Sequence, residues 1–237
     1  MNVSTDDVTK TFTLTPIDIK KMAADMLVVN NLPTFTGRLL WSIYQTAVSH
    51  CMNCPTMEDR NRVFGAGSQS ADIMFIGEAP GKVENEQCQP FVGPAGQIFN
   101  EALEAYDIPR ETVFITNCVL CWPPNRSGSW KPSDLEVNNC RTWLAAQIAL
   151  VEPKVIVLLG ASAYESITGE LDVKMYSVID KKYILKYTNW QNEECAAIML
   201  PTYHPSALQY QDDQKEKDRM GLTIGRAIKL AKQLTGS

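Results

Sequence analysis

The sequence predicts an α/β protein built around a mostly parallel sheet. Short apolar runs, of the length that buried strands have, alternate with longer segments whose apolar residues recur at helical spacing. Several of the apolar runs end at glycine, asparagine or proline, which is typical of a strand that leads into a loop. Strands that alternate with helices imply parallel pairing with right-handed crossovers.

A single domain accounts most simply for the 237 residues, which suffice for a sizeable core. We expect this domain to span residues 41–237. Residues 1–40 are polar and then briefly apolar, and we expect an N-terminal extension that packs on or near the core. In the first half of the chain, residues 39–48 predict a short helix, residues 73–76 a buried strand and residues 96–106 a second helix.

The second half continues the alternation of strands and helices. Its predicted elements are a strand at 112–116, a helix at 133–150, a strand at 154–159, a helix at 161–167, a strand at 196–200 and a helix at 214–234. Ser133 is a candidate N-cap for the helix that it opens, and Pro153 ends that helix. Residues 170–195 are irregular and charged, with a small hairpin expected around residues 183–187.

Composition bounds the class of protein. The apolar fraction is ordinary for a soluble globule, and no apolar run has the length of a membrane span. The N-terminus lacks the basic-then-apolar pattern of a secretion signal, so we expect a cytoplasmic protein without a membrane partner. The net charge of −5 weighs against DNA binding, because contacts with phosphates need Lys and Arg, but an enzyme that visits one nucleotide needs only a local basic patch.

Three predicted strands end in polar residues that suit a catalytic site. Glu78 follows the first strand, Asn117 closes the second and His204 follows the last. Ligands of open α/β sheets bind outside the carboxyl ends of the strands, so one shared site is expected there. The loop after the first strand also carries Glu84 and Phe91, which suit a pocket that holds a flat ring and activates water.

Six motifs occur in order within roughly residues 48–230. They are GEAPG, the acidic residue Glu84, PFVGPAG, ITN, CWPPN and YHPSAL. Together they resemble the uracil-DNA glycosylase superfamily, and most closely its iron–sulfur-containing branch, family 4. The resemblance implies a three-layer α/β/α fold around a central, mostly parallel four-stranded sheet. It also implies a DNA repair enzyme that hydrolyses the N-glycosidic bond of deoxyuridine, with uracil-containing single- or double-stranded DNA as its partner.

The resemblance gives roles to the residues of the expected site. It implies that acidic residues of this loop position water or the sugar, and the departures of this loop from the family pattern favour Glu84 as the water-positioning residue and Glu78 as the organiser, with the reverse assignment left open. His204 is expected to donate a hydrogen bond to the departing uracil. The substrate-binding residues are expected to be Gly77, Ala79, Phe91 and Asn117. Phe91 offers a ring face for stacking, and the Asn117 amide both donates and accepts, which distinguishes uracil from cytosine. A solvated loop charge is the alternative for Glu84, and a structural histidine is the alternative for His204.

Contacts with DNA are expected from the segment after His204 and from basic residues. In the resembled superfamily a leucine at the position of Leu208 fills the gap left by a flipped nucleotide, and Ser206 is expected to hold a flanking phosphate. The alternative is that Leu208 faces the core. The basic residues near the expected loops are Arg60, Arg62, Arg126, Lys131 and Lys154, unless these are ordinary surface charges.

Four of the seven cysteines suit a metal centre. Cys51 and Cys54 form a close pair, whereas Cys121 and Cys140 lie far downstream, so that folding has to bring them together. The spacing fits either zinc or an iron–sulfur cluster with four thiolate ligands. The resemblance implies a 4Fe–4S cluster with a structural role at these four residues. The remaining cysteines are expected to be small buried hydrophobes: Cys88, Cys118 and Cys195.

Other functions compete with hydrolysis on the sequence alone. The loop has Lys82, Val83 and Asn85 where the resembled family has acidic residues, which favours a catalytically weak DNA-binding protein in a replication or repair assembly. A relative that captures the sugar covalently carries a histidine-bearing insert after ITN, and this chain has no histidine there. A redox sensor built on the cluster is more distant. We expect a monomeric hydrolase, with a repair or replication protein as a candidate partner.

Overall fold

Seven strands form one sheet in the part of the chain that the structure describes, and helices pack on both of its faces. The computed structural model describes residues 8–15, 37–54, 61–122 and 131–236. The strands are β1 Lys10–Thr13, β2 Ala66–Gly67, β3 Ile73–Gly77, β4 Phe114–Asn117, β5 Val155–Leu159, β6 Tyr183–Thr188 and β7 Glu194–Thr202. The helices are α1 Gly37–Ser49, α2 Lys82–Gln87, α3 Pro94–Glu104, α4 Asp134–Val151, α5 Ala161–Thr168 and α6 Gln214–Thr235. Short 3-10 helices at Arg110–Thr112, Met175–Ser177 and Pro205–Leu208 lie in the connections.

The centre of the sheet is parallel. The strand order is β1-β6-β7-β5-β3-β4-β2, in which β7, β5, β3 and β4 pair in parallel. Antiparallel pairs extend this centre, with β6 beside β7 and β2 beside β4, and β1 then pairs in parallel with β6. The predicted mostly parallel α/β fold is confirmed. The described sheet has seven strands rather than four because edge strands extend the parallel centre on both sides.

The sheet separates two apolar layers. Side chains along β3 alternate between them: Ile73 and Phe75 join one cluster, and Met74 and Ile76 join the other. Helices α3 and α6 cover the face of Phe75, while α1, α4 and α5 cover the face of Met74. Burial on both faces explains why the central strands read as continuous apolar runs. The predicted three-layer α/β/α arrangement is confirmed.

The ends of α4 follow the predicted signals. The Ser133 hydroxyl accepts the backbone N–H of Glu136 at 3.3 Å, and the Ser133 N–H donates to the Glu136 carboxylate at 2.8 Å. This reciprocal pair is a capping box, which satisfies backbone donors that the first helical turn leaves free. Pro153 lies just beyond the last residue of the helix. None of the described helices combines the length and the apolar character that a membrane crossing requires.

Two segments differ from their predictions. Residues 183–188 are one strand of a hairpin with β7 rather than a hairpin of their own, because they alternate buried and exposed side chains and need a partner strand. Residues 10–13 belong to the predicted extension, and they add β1 to the edge of the sheet. Residues 1–7 and 16–36 lie outside the described residues, so the division of the chain at residue 40 stays a prediction.

Candidate active site

Each of the four central parallel strands delivers a polar side chain to the same edge of the sheet. Glu78 follows β3, Asn117 ends β4, His204 lies two residues beyond β7, and Ser162 stands in the first turn of α5, directly after β5. Such an edge is where open α/β sheets bind ligands. A cavity of about 340 Å³ opens there, and its lining includes Glu78, Ala79, Glu84, Phe91, Asn117, His204 and Ser206.

Phe91 and Asn117 form a narrow slot beside the backbone of Gly77. Asn117 is 2% exposed, and its Oδ1 has no hydrogen-bond partner among the described residues. A Cβ on Gly77 would lie 2.5 Å from both Asn117 Oδ1 and Phe91 Cζ, so glycine is what lets the strand end approach both groups. A buried, unpaired amide beside an aromatic ring suits a flat ligand with a donor and an acceptor on its edge.

The ring of Phe91 is fixed by its backbone and by its neighbours. Phe91 has a φ of 54°, in the left-handed region that bulky residues seldom adopt. Gly96 permits this turn, because a Cβ there would lie 2.1 Å from the carbonyl oxygen of Phe91. The ring centroid of Phe91 lies 5.2 Å from that of Phe99 and 5.6 Å from that of His204. The position of the slot is therefore set by the packed start of α3.

His204 is neutral, and its hydrogen bonds identify which ring nitrogen carries the proton. The backbone N–H of Ser206 donates to Nδ1 at 3.2 Å, and a backbone N–H can only donate. Nδ1 is therefore an acceptor, and the Ser206 hydroxyl, 2.7 Å away, donates to it as well. Burial lowers the pKa of His204 to about 4, so at neutral pH the ring has a single proton, on Nε2. His204 thus offers the cavity an uncharged donor.

Glu84 is bound by backbone amides. It is 8% exposed, and its two carboxylate oxygens accept N–H groups from Gly81 at 3.1 Å, Val92 at 3.1 Å and Gly93 at 2.7 Å. These bonds join the start of the loop at residues 81–84 to its end at 92–93. A carboxylate with three such partners acts as the internal anchor of a loop. This geometry favours the organising role for Glu84, whereas the sequence analysis gave that role to Glu78.

Glu78 has a different environment. Its Oε2 accepts the hydroxyl of Ser162 at 2.6 Å, and no other described residue donates to the carboxylate. Burial raises the pKa of Glu78 above its ordinary value, and the bond from Ser162 and the charge of Lys131 partly oppose that rise. Ser162 was not among the site residues predicted from the sequence. The one available signal was its place after β5, at the same end of the sheet as the residues that were found.

The contacts of Leu208 and Ser206 bear on the roles expected for the segment after His204. Leu208 is 8% exposed and packs in the apolar cluster with Phe99 and Ile224, so the structure favours the alternative in which this leucine faces the core. Both the hydroxyl and the backbone N–H of Ser206 are engaged by His204, which makes Ser206 a partner of the histidine. Three of the described cavity-lining side chains are exposed, Pro94, Gln209 and Tyr210, and the large aromatic one among them is Tyr210, at 82%.

The basic residues expected near DNA have partners within the protein where the structure describes them. Lys131 and Lys154 form ion pairs with acidic side chains at 2.8 Å, although each stays about half exposed. Arg62 donates to a backbone carbonyl at 2.5 Å. Arg60 and Arg126 lie outside the described residues. A role for any of these side chains in holding DNA stays a prediction.

The four cysteines expected to hold a metal centre lie in one region. Cys51 follows α1, Cys140 lies on α4, and Cys121 forms an isolated β-bridge with Arg62. Burial raises the pKa of Cys121 to about 11 and that of Cys140 to about 12, and the proximity of Cys51 and Cys54 adds to both shifts. Thiols this close to one another cannot all ionise unless a cation offsets their charge.

Hydrogen-bond donors point at two of these sulfurs. Trp143 Nε1 lies 3.3 Å from Cys51 Sγ, and Asn139 Nδ2 lies 3.3 Å from Cys54 Sγ. Donors of this kind support the ligands of metal centres. As they stand, no three His, Cys, Asp or Glu side chains in the described parts of the chain are arranged to hold a metal ion. The four thiols are nevertheless suitable ligands for a cationic centre, because they are close together and two of them accept hydrogen bonds from neighbouring side chains.

The three remaining cysteines have different environments. Cys118 is buried, as expected, and its thiol donates to the carbonyl of Glu78 at 3.0 Å. Cys195 is half-buried. Cys88 is exposed at the end of α2, so the expectation of burial is wrong for this residue. The short helix ends there and turns its last residue outward, which the sequence pattern did not indicate.

Known proteins similar to this chain have one family in common. The family model described as the uracil DNA glycosylase superfamily matches residues 64–223. A type-4 uracil-DNA glycosylase of Sulfurisphaera tokodaii is 38% identical over 168 residues, which cover 69% of this chain and 73% of that protein. A type-4 uracil-DNA glycosylase of Thermotoga maritima is 35% identical over 175 residues, which cover 73% of this chain and 85% of that protein. A type-5 uracil-DNA glycosylase of Pyrobaculum aerophilum is 30% identical over 116 residues, which cover 43% of this chain and 50% of that protein.

Proposed function

The chain belongs to the uracil DNA glycosylase superfamily, in its type-4 branch, and we propose that it hydrolyses the N-glycosidic bond of deoxyuridine in DNA. The reaction releases uracil and leaves an abasic site. The observation that carries the proposal is the slot of Phe91 and Asn117. In it the buried Asn117 Oδ1 has no hydrogen-bond partner among the described residues and lies beside the ring of Phe91. A base flipped out of the helix would fill this slot and pair with the amide.

Asn117 would select uracil through the two groups on its pairing edge. Uracil presents an N3–H donor and an O4 acceptor, which the amide oxygen and the amide N–H of Asn117 match. Cytosine presents an amino group and an unprotonated N3, so the same amide would be left with mismatched partners. Leaving a buried polar group unpaired is costly, and that cost is the source of selection against cytosine.

His204 would stabilise the departing base. When the bond between C1′ and N1 breaks, its electron pair leaves on uracil, and negative charge builds on the uracil carbonyl. The Nε2–H of neutral His204 is a preorganised donor for that charge, and one such donor is worth about 3 kcal/mol of barrier. Ser206 supports this role, because its two bonds to Nδ1 keep the proton on Nε2.

Glu78 would stand beside the sugar and orient the water that adds to C1′. Its carboxylate has a single described donor and lines the cavity, which leaves it able to face the developing positive charge of the sugar. Glu84 would instead hold the loop closed through its three amide bonds. This assignment exchanges the roles that the sequence analysis gave to the two carboxylates.

Contact with the DNA around the flipped nucleotide would fall to Tyr210. Its ring is exposed at the rim of the cavity, where an apolar or aromatic side chain can fill the gap that a flipped base leaves in the stack. The burial of Leu208, which is 8% exposed, supports giving this task to Tyr210 instead. The sequence predictions of a cytoplasmic location, a monomeric state and a repair or replication partner are kept as part of the proposal.

Cys51, Cys54, Cys121 and Cys140 would hold a 4Fe–4S cluster with a structural role. Bonds from four thiolates to the iron atoms would tie the segment after α1 to α4 and to the loop after β4. The crowding of the four thiols and the donors on Trp143 and Asn139 support this centre.

The proposal is tested with a uracil-containing oligonucleotide. Purified protein is incubated with single- and double-stranded substrate, and alkali then cleaves the strand at any abasic site. We expect scission at uracil and none at cytosine in the same sequence, with Asn117→Asp losing most of the activity. Binding to uracil-containing DNA without scission would favour the alternative of a catalytically weak DNA-binding protein.

A further inference from the structure

We propose that Ser162 is a positioning residue, which orients the carboxylate of Glu78 for its work at the sugar. The inference rests on the proposed function, because it takes Glu78 as the carboxylate that orients water. It adds the fourth strand to the site: β3, β4 and β7 supply the residues that contact the base and the sugar, and β5 supplies the residue that holds one of them.

The geometry leaves Ser162 little freedom. Its side chain is 2% exposed, on the first turn of α5, and its hydroxyl donates to Glu78 Oε2 at 2.6 Å. Because α5 packs under the sheet, the buried Ser162 hydroxyl cannot move relative to β3. Binding Oε2 from that point sets the rotation of the carboxylate and leaves Oε1 without a donor among the described residues. Oε1 is then the oxygen available to a water in the cavity.

The same bond favours the ionised carboxylate. Burial acts against the charge of Glu78, and the groups that face it are Lys131, Glu165 and Cys118. Lys131 favours the charge of Glu78, while Glu165 opposes it and pairs with Lys131 at 2.8 Å. Because Lys131 is shared in this way, the Ser162 hydroxyl is the favourable contact that belongs to Glu78 alone. Glu84 and His204 line the same cavity.

The test is the pH dependence of single-turnover uracil excision. The wild-type rate falls toward acid as Glu78 becomes protonated, and Ser162→Ala removes a hydrogen bond to the charged form. We expect the acidic limb of the profile to move up by about one to two pH units, with binding of uracil-containing DNA changed less than twofold. Ser162→Thr keeps the hydroxyl and is expected to restore the wild-type limb.

Ser166→Ala is the matched control. Ser166 lies one turn along the same helix and is fully buried, but its hydroxyl donates to the carbonyl of Ala163 at 2.7 Å and meets the Cys118 thiol rather than the Glu78 carboxylate. The acidic limb of the pH profile of Ser166→Ala is expected to coincide with that of the wild type. A second measurement asks whether Ser162 acts through Glu78: well below the midpoint of the wild-type acidic limb, Ser162→Ala is expected to lower the rate of the wild type by about ten- to a hundredfold and that of Glu78→Gln less than twofold.

Different results separate the inference from the proposed function. A wild-type protein that leaves uracil in place would overturn the proposed function itself. An active wild type whose acidic limb and rate are unchanged by Ser162→Ala would overturn only the positioning role. If Ser162→Ala does not fold, Ser162→Cys keeps a weaker donor of similar size, and a limb shifted in the same direction by a smaller amount supports the inference. A Ser162→Cys limb at the wild-type position contradicts it.

Discussion

Replacing Glu84 by glutamine tests the loop anchor directly. The carboxylate accepts three backbone N–H groups, two on Oε1 and one on Oε2. Glutamine keeps one oxygen, which can serve Val92 and Gly93, but its amide N–H₂ would then face the N–H of Gly81. The variant therefore loses one charge-assisted bond outright, and the two that remain lose their ionic character.

The size of the effect follows from these bonds. A hydrogen bond to a charged group contributes about 1.5–3 kcal/mol, so the loop is expected to open more easily by about 2–3 kcal/mol in Glu84→Gln. Since every 1.4 kcal/mol is a factor of ten, amide exchange in residues 81–93 should speed up by about 30- to 150-fold. Excision should fall as well, because the loop carries Phe91 and follows Glu78.

Hydrogen exchange measured by mass spectrometry gives the readout. Glu86→Gln is the control, since Glu86 lies on the same short helix and its exposed side chain pairs, among the described residues, only with Lys82, at 3.8 Å. Exchange in that control should stay within twofold of the wild type. If Glu84→Gln also exchanges within twofold of the wild type, Glu84 does not anchor the loop, and its assignment as the water-positioning base returns.

Three further changes probe the rest of the site. Folding favours the neutral form of His204, so unfolding below pH 6.5 takes up a proton. In urea titrations, the free energy of unfolding of the wild type relative to that of His204→Gln should therefore fall by about 3 kcal/mol between pH 6.5 and pH 4. A difference that does not change with pH would contradict the buried neutral ring. Gly77→Ala puts a methyl group 2.5 Å from both sides of the base slot and should slow single-turnover excision by about 10²-fold with unmodified DNA bound as before; normal excision would place the base elsewhere. An anaerobic preparation of the wild type should show broad visible absorption and contain iron by elemental analysis, and Cys51→Ala should lose the absorption and most of the iron. Stoichiometric zinc in the wild type would exclude the cluster.

The sequence predicted the central layers well because the signal was physical and local. The runs at 73–76 and 154–159 are apolar throughout, which buried parallel strands require, and they became β3 and β5. Glycine and asparagine at the strand ends identified Glu78 and Asn117. By contrast, β1 is four residues, KTFT, whose partner β6 lies about 170 residues away in the chain, and no local pattern reveals such pairing.

The roles proposed for the individual site residues depend on contacts that could not be predicted from the sequence. Glu78 and Glu84 are both acidic residues in one loop, and only the turn at residues 91–93 brings backbone amides to Glu84. Ser162 reads as an ordinary residue in the first turn of a helix until α5 is packed beneath β3. The burial of Leu208 likewise follows from its 3-10 helix lying against α3 and α6 rather than from its own identity.

The strand order makes β7 the strand that joins the two parts of the described sheet. β7 is the last of the described strands in sequence, yet it lies inside the sheet, between β5 and β6. Until it inserts, the β1-β6 pair has no link to the other strands, and His204 has not reached the cavity. A chain that ends before residue 194 contains Glu78 and Asn117 but lacks both β7 and His204. The completion of the described sheet and the placement of His204 in the cavity therefore depend on the same strand.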